Sequence, residues 1–453
     1  MRLPDFAAAK TSLDFNAGLY EEHLEEASFL YQQRVALYHN PSVTWLNVGE
    51  FEERLDAHID GLVVGDKLAL GVCKTRASEG DFGELFAAIC VFCRQNERDL
   101  VLAALDQLDP ADAEKAAAIG DAFKYELPDA WFPDFLTLLA SGDPKFAPIL
   151  SRAFGYRRFP CGPQLLSAMR RCAAPALPEL VWALGRIAYE AARAPLLDYL
   201  RSEEQAVRLA AAGALARIGD SSVVDYRLDH ASPNPWAILS LGLAGGRTAV
   251  SPLTELAHKN PAAIVALGLL GDPASVPLLI SLLAKEDTAP GAALALECMT
   301  GAGLYETVFV PDEMDEDELF DSEREQLKQG KTLVRGDGRP FGSNVTRLAQ
   351  SQEAWTTWWR ANQDRYTPGR RYRSGGLYSP AQLIETLSAD RTPHQIRAHC
   401  CEELTIRYQK DFGLEMDMPV RYQIPKLAEA SAWSQSSSGR FEQGEWYFAG
   451  YRE

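Results

Sequence analysis

Residues 264–285 read IVALGLLGDPASVPLLISLLAK, and this stretch decides the fold. Leu267, Leu270, Leu278, Leu279, Leu282 and Leu283 recur three or four apart on either side of Gly271-Asp272-Pro273, the period of a helix face. Glycine suits the end of one helix, and Asp272 with Pro273 suits the N-cap and first turn of the next. The stretch therefore reads as two short helices folded back on each other.

The same unit returns through the central third of the chain. Its copies open at Ala183-Leu184-Gly185, Ala214-Leu215-Ala216, Ser240-Leu241-Gly242, Ala266-Leu267-Gly268 and Ala295-Leu296-Glu297, at offsets of 31, 26, 26 and 29 residues. Each offset is the length of one helical hairpin. Small residues such as Ala210, Ala211, Ala212 and Ala214 allow neighbouring helices to come close. One hairpin cannot bury both its faces, so the units must stack into a solenoid. Weaker copies extend upstream, since Ser151 to Gly155 lies 32 residues before Ala183, and Phe132 to Leu139 forms an apolar helix.

Outside the repeats the pattern changes. Leu19 to Leu37 is amphipathic through Leu24, Ala27, Phe29, Leu30 and Val35, and Phe51 to Leu62 through Leu55 and Ile59. Between Asp312 and Gln326 nine of fifteen residues are acidic, which predicts a solvated loop or frayed helix. Glycines from Gly336 to Gly342 extend that linker. Helix returns at Gln352 with Trp355, Trp358 and Trp359, breaks at Pro368-Gly369, and resumes as a pair from Pro380 to Tyr408; the last thirty residues carry no clear pattern. The expected organisation is a helical N-terminal cap (1–110), HEAT-like repeats (111–305), an acidic and Gly-rich linker (306–350) and a Trp- and Arg-rich helical region (351–453). The fold class is all-α, a HEAT-like helical-hairpin solenoid.

Composition narrows the function classes. With 453 residues and 47 % hydrophobic content the chain has ample core for several units or one elongated array. The net charge of −18 repels phosphate backbones, which argues against nucleic acid and for a basic protein partner. Asp5 and Lys10 interrupt the start, so no signal peptide is expected, and the longest apolar run, Pro261 to Gly271, is too short for a bilayer span of roughly 20 residues. Eight scattered cysteines suit a reducing compartment. A cytoplasmic protein with no membrane insertion is expected.

Motifs for chemistry are sparse. Gly330-Lys331-Thr332 fails as a phosphate loop because Glu325 stands where the first glycine should be. Gly336, Gly338 and Gly342 lack dinucleotide spacing, and no serine has the flanking glycines of a nucleophile elbow. No histidine is followed by glutamate, the dipeptide of HEAT-like di-iron hydroxylases. His394, His399, Cys400 and Glu403 form the best metal constellation, with only His399 and Glu403 sharing a helical face. Cys90 and Cys93 lie in an apolar run without the exposed helix start of a redox pair, which makes them core thiols. Four arginines from Arg365 to Arg373, interleaved with Tyr366 and Tyr372, resemble a nucleic-acid contact, but internal pairing fits the overall charge better. No catalytic residue, metal or cofactor is assigned.

Stretches near both ends carry a family resemblance that covers nearly the whole chain. Glu25-Glu26-Ala27-Ser28-Phe29-Leu30 to Arg34, with Arg54 to Leu62, resembles the opening of an uncharacterised bacterial HEAT-repeat family often encoded beside type VI secretion system genes. The Trp355 to Arg360 helix, the turn from Arg365-Tyr366 to Arg373, and Arg397-Ala398 to Leu404 resemble its C-terminal part, and the tail after Met416 departs from it. The resemblance implies effector handling or protection from an effector. The expected function is a non-enzymatic scaffold, in its sharpest form an immunity protein that neutralises a cognate basic toxin, such as a nuclease, by direct binding. Alternatives are an effector adaptor or chaperone of the secretion system, and a HEAT-like enzyme such as a lyase or metal-dependent hydroxylase. Candidate contact residues are Asp312, Glu313, Asp315, Glu316, Asp317 and Glu318, whose other reading is a solvated loop, and Trp355, Trp358 and Trp359, whose spacing equally suits a core face.

Overall fold

The computed structural model of the protein describes residues 12–38, 40, 43–225, 234–311, 324–325 and 339–453. It is an all-α helical solenoid with a few short strands. Eight helices stand side by side, each packed on the next: Phe82–Arg94, Ala113–Glu126, Ala147–Tyr156, Leu177–Arg186, Gln205–Ile218, Pro235–Ala244, Pro261–Leu270 and Ala289–Thr300. These are the first helices of successive hairpins. Their partners, among them Phe132–Ser141, Gly162–Met169, Val250–Ala257 and Val276–Leu282, form a second row behind them.

The Ala-Leu-Gly signature has a direct steric cause. A Cβ on Gly155 would lie 2.8 Å from the Cα of Ala183, and one on Gly185 2.7 Å from that of Ala214. On Gly242 it would lie 2.8 Å from Ala266 Cα, and on Gly268 2.6 Å from Ala295 Cα. The glycine of each unit is the seat for the alanine of the next, so the repeat is a record of helix-to-helix contact. At the junction between Gln205–Ile218 and Pro235–Ala244 the glycine is replaced by Ala216, and the buried side chains divide into two clusters near this point.

The hairpin turns follow the chemistry expected of them. Gly271 (φ 71°) and Gly219 (φ 82°) end their helices in the left-handed region, and Asp272 and Asp220 then accept bonds from Ala274 N and Ser222 N. The Pro261–Leu270 helix is buried along most of its length. The row of first helices begins at Phe82, upstream of residue 111.

Several local expectations need correction. Phe29 and Val35, assigned to the buried face of the first helix, are 56 % and 44 % exposed, whereas Leu24, Ala27 and Leu30 of that face are buried. Within 306–350 the structure has a strand pair: Tyr305–Pro311 runs antiparallel to Gly342–Leu348, with Tyr305 opposite Leu348 and Pro311 opposite Gly342. The tail is ordered too, as helix Val420–Ser436 followed by the Tyr447–Phe448 and Tyr451–Arg452 hairpin.

Candidate functional site

All first helices point their C-terminal ends to one side, where helix ends leave carbonyl groups without partners and a partial negative charge. The C-terminal region runs along these ends. Helix His394–Tyr408 packs across Gln205–Ile218 and Pro235–Ala244, covering the junction that lacks its glycine. From there the chain follows the row toward both ends of the solenoid.

Toward the last repeats, arginines of the C-terminal region meet the helix ends. Arg407 Nη2 donates to Gly242 O at 3.1 Å, and its Nη1 to Gly245 O at 3.3 Å. Arg371 Nε donates to Leu270 O at 2.7 Å, and Arg373 Nη2 to Leu269 O at 3.1 Å. Backbone pairs reinforce them, since Tyr372 N reaches Gly271 O at 2.8 Å and Ser374 N reaches Cys298 O at 2.9 Å. Arg371, Arg373 and Arg407 are each 0 % exposed, and the one carboxylate among them is Glu403, also 0 % exposed. Arg373 grips Glu403 at 2.6 Å, and Tyr378 OH donates to it at 2.7 Å. The Arg371 guanidinium lies 3.6 Å from the Tyr378 ring centroid and 4.7 Å from that of Trp446. Burial, with Arg407 nearby, lowers the pKa of Arg371 to about 10. Carbonyl dipoles and ring faces thus help hold three guanidinium groups that share one directly paired carboxylate.

Toward the first repeats the polarity reverses. Lys124, Arg158, Arg186 and Arg217 stand at equivalent ends of four successive first helices, at offsets of 34, 28 and 31 residues. Arg217 pairs with Glu402 at 2.8 Å and with Asp411, and Arg186 with Glu402 at 2.6 Å and Glu415 at 2.8 Å. Arg158 meets Asp411 at 3.0 Å and Glu415 at 2.8 Å, and Lys124 meets Asp417 at 2.6 Å. Burial alone would raise the Glu402 carboxyl, yet Arg186 and Arg217 outweigh it and hold its pKa at about 2. Asp411 sits at about 2 for the same reason, with Arg217 and Arg158 overcoming burial. Farther on, Arg34 Nη2 donates to Asp417 O at 2.6 Å and Val420 N to Glu52 at 2.7 Å. Residues 402 to 421 therefore lie across the helices from Gln205–Ile218 back to Val48–Val64.

The candidates named from sequence are dispersed. Asp312, Glu313, Asp315, Glu316, Asp317 and Glu318 lie outside the described residues; the paired strands flank them. Trp355 is 1 % exposed, donates Nε1–H to Ala349 O at 2.7 Å and packs among the last repeats, so it is a core residue. Trp358 and Trp359 are half-buried against Tyr366. The arginine run pairs internally with Glu403, with carbonyls at the ends of the repeat helices and, through Arg370, with Glu442 and Glu445; its partners are therefore both the C-terminal region and the repeats. Glu403, half of the proposed metal pair, is held by Arg373 and Tyr378, and no group of three metal-ligating side chains occurs among the described residues. Cys90 and Cys93 are buried, with burial pushing both thiols well up. Cys298, beside Arg373, is raised by burial to about 11. The basic ladder Lys124, Arg158, Arg186 and Arg217 was missed, although its repeat spacing was present in the sequence.

Two family models match. One described as HEAT repeats covers residues 162–236, and one described as PBS lyase HEAT-like repeat covers residues 262–285. No curated protein and no solved structure matches the chain. The first match runs through the junction bridged by His394–Tyr408 to the start of Pro235–Ala244, and the second lies beyond it. HEAT-like repeats form a helical scaffold of the kind used for protein binding. No helix among the described residues is long and apolar enough to cross a membrane.

Proposed function

We propose that this chain is a non-enzymatic scaffold that binds a basic protein, and that this protein is a toxin which the chain neutralises as a type VI secretion-associated immunity protein. One observation carries the charge preference. The chain carries a net charge of −18, and among the described residues the buried charges nearly cancel, seven basic against six acidic, so the negative excess stands at the surface. An acidic surface accelerates encounter with a basic partner. The repeat array supplies a preformed platform, and the resemblance at both ends of the chain supports the secretion context. The PBS lyase HEAT-like match spans one hairpin and speaks to fold alone.

Tagged protein recovered from its native cell at low salt is expected to bring down a basic protein that dissociates as salt is raised. Co-expression with that protein should restore growth if it is toxic. Unchanged toxicity with impaired export of the partner would replace immunity by an adaptor role. Recovery of no basic partner, together with no rescue, would end both versions.

A further inference from the structure

The start of helix His394–Tyr408 borders a cavity of about 160 Å³, lined by Tyr38, Trp45, Tyr305, Arg391, Gln395 and Arg397 among others. Two arginines and a histidine line it, and none of its described lining residues is an aspartate or glutamate. That is unexpected in a chain of net charge −18.

Arg397 sets the chemistry. It is 1 % exposed and forms no ion pair among the described residues, unlike Arg34 or Arg373, which each face a carboxylate. Its Nε donates to Leu387 O and its Nη2 to Gln423 Oε1, both at 2.8 Å, and its guanidinium lies 4.0 Å from the Trp45 ring centroid. These contacts fix the plane of the group, and among the described residues Nη1 has no hydrogen-bond partner. Burial lowers its pKa to about 10, which records the cost of a desolvated charge without a counter-ion. No side chain caps the helix start, and Arg397 N is the first amide bonded within the helix, to Pro393 O at 3.1 Å. The partial positive charge of that first turn adds to the guanidinium. Arg391, Asn40 and Gln395 are exposed residues of the lining and mark its solvent side.

We infer that this cavity binds a small oxyanion, a phosphate or carboxylate group on a compact body, with Arg397 as the buried anchor and Arg391 at the entrance. The anion supplies the counter-charge that Arg397 lacks, through charge-assisted hydrogen bonds. Leu37, Val43, Val48 and Pro393 give the remaining wall an apolar surface suited to a small ring or branched chain. A cavity of about 150 Å³ accepts benzene, so a benzoate-sized ligand fits within this one. The inference is independent of the proposed protein partner.

The test is calorimetric titration of the full chain with inorganic phosphate and, separately, with benzoate, in a buffer free of other oxyanions. One-to-one saturation by at least one probe is expected. Phosphate alone would assign a phosphate head group, benzoate alone a carboxylate, and both the shared chemistry. Arg391→Glu, at an exposed position, and Val43→Trp, which fills the cavity, should each weaken binding about tenfold or more, equivalent to at least 1.4 kcal/mol. Arg397→Lys should weaken it as well, by losing the planar fork. Should that variant fail to fold, the other two carry the test. Absence of saturation by either probe, or unchanged binding in both Arg391→Glu and Val43→Trp, would overturn the site.

Discussion

Along the helices that end at Lys124, Arg158, Arg186 and Arg217 the repeats provide the cations, and the C-terminal region provides the carboxylates. From Gly242 to Cys298 the C-terminal region provides the cations, and the repeats provide carbonyl groups. The first set is partly open to water, with side-chain exposures of 23 % at Glu402, 26 % at Asp411 and 40 % at Asp417. The second is sealed, with Arg371, Arg373, Arg407 and Glu403 all at 0 %. One contact surface is therefore an anchor at the end of the solenoid and a titratable strap near its beginning.

The anchor should give the largest effect. Glu403→Gln leaves three buried guanidinium groups with no directly paired carboxylate among the described residues, and removing one partner from a buried charge cluster costs about 3–5 kcal/mol. Glu415→Gln on the strap should cost less, because Arg186 keeps Glu402 and Arg158 keeps Asp411. Chemical denaturation of the two variants measures the difference. Equal losses would break the distinction between anchor and strap.

Acid should divide the two halves next. Glu402 and Asp411 have folded pKa values of about 2 against ordinary values of 4.5 and 3.8. A lowered carboxyl pKa contributes stability that is complete above the ordinary value and is lost as pH falls toward the folded one. The strap should thus loosen between about pH 4.5 and pH 2, by a few kcal/mol at most. Guanidinium-to-carbonyl bonds have no group that titrates in this window. Hydrogen exchange should show amides near 409–421 losing protection in acid before those near 371–378. Simultaneous loss would show that the halves do not act separately.

How much of this was legible follows from which contacts are local. Gly271-Asp272-Pro273 could be read because a helix end and the next cap are neighbours in sequence. The Gly-to-Ala seats could be read because each recurs at the repeat length, as from Gly268 to Ala295. The ladder of Lys124, Arg158, Arg186 and Arg217 obeyed the same period, yet charged side chains ordinarily imply a solvated face, and their partners lie roughly 200 to 300 residues away in Asp411, Glu415 and Asp417. Arg371 and Arg373 were hidden for the same reason: nothing in a run of arginines states that helix-end carbonyls will receive them. The strand pair was missed because 30 residues separate Pro311 from Gly342 and their acidic composition dominates the segment. Arg397 gave no signal, since its lack of a carboxylate partner among the described residues is visible only in three dimensions.

A packing control sharpens the comparison, because the seats are alike in both halves. Gly185→Ala and Gly268→Ala each force a Cβ against the backbone of the next helix, at 2.7 Å and 2.6 Å, and overpacking of this kind costs about 1–3 kcal/mol. Similar losses by thermal unfolding are expected at both positions. A large inequality would mean that the repeats, and not the C-terminal contact, differ between the halves.

The smallest effect is expected at the far end of the strap, where Arg421 pairs with Asp56. Arg421 is 43 % exposed, and Asp56 also binds Arg94 at 2.6 Å, so Arg421→Ala leaves that carboxylate with a partner. Exposed pairs of this type contribute about 0.2–1 kcal/mol, and salt screens them further. Denaturation at low and high salt should give a small loss that shrinks as salt is added. A loss above about 2 kcal/mol, insensitive to salt, would exceed what an exposed pair supplies and would place a second anchor at the N-terminal end. The C-terminal region would then be clamped at both ends, and acid could free only its middle.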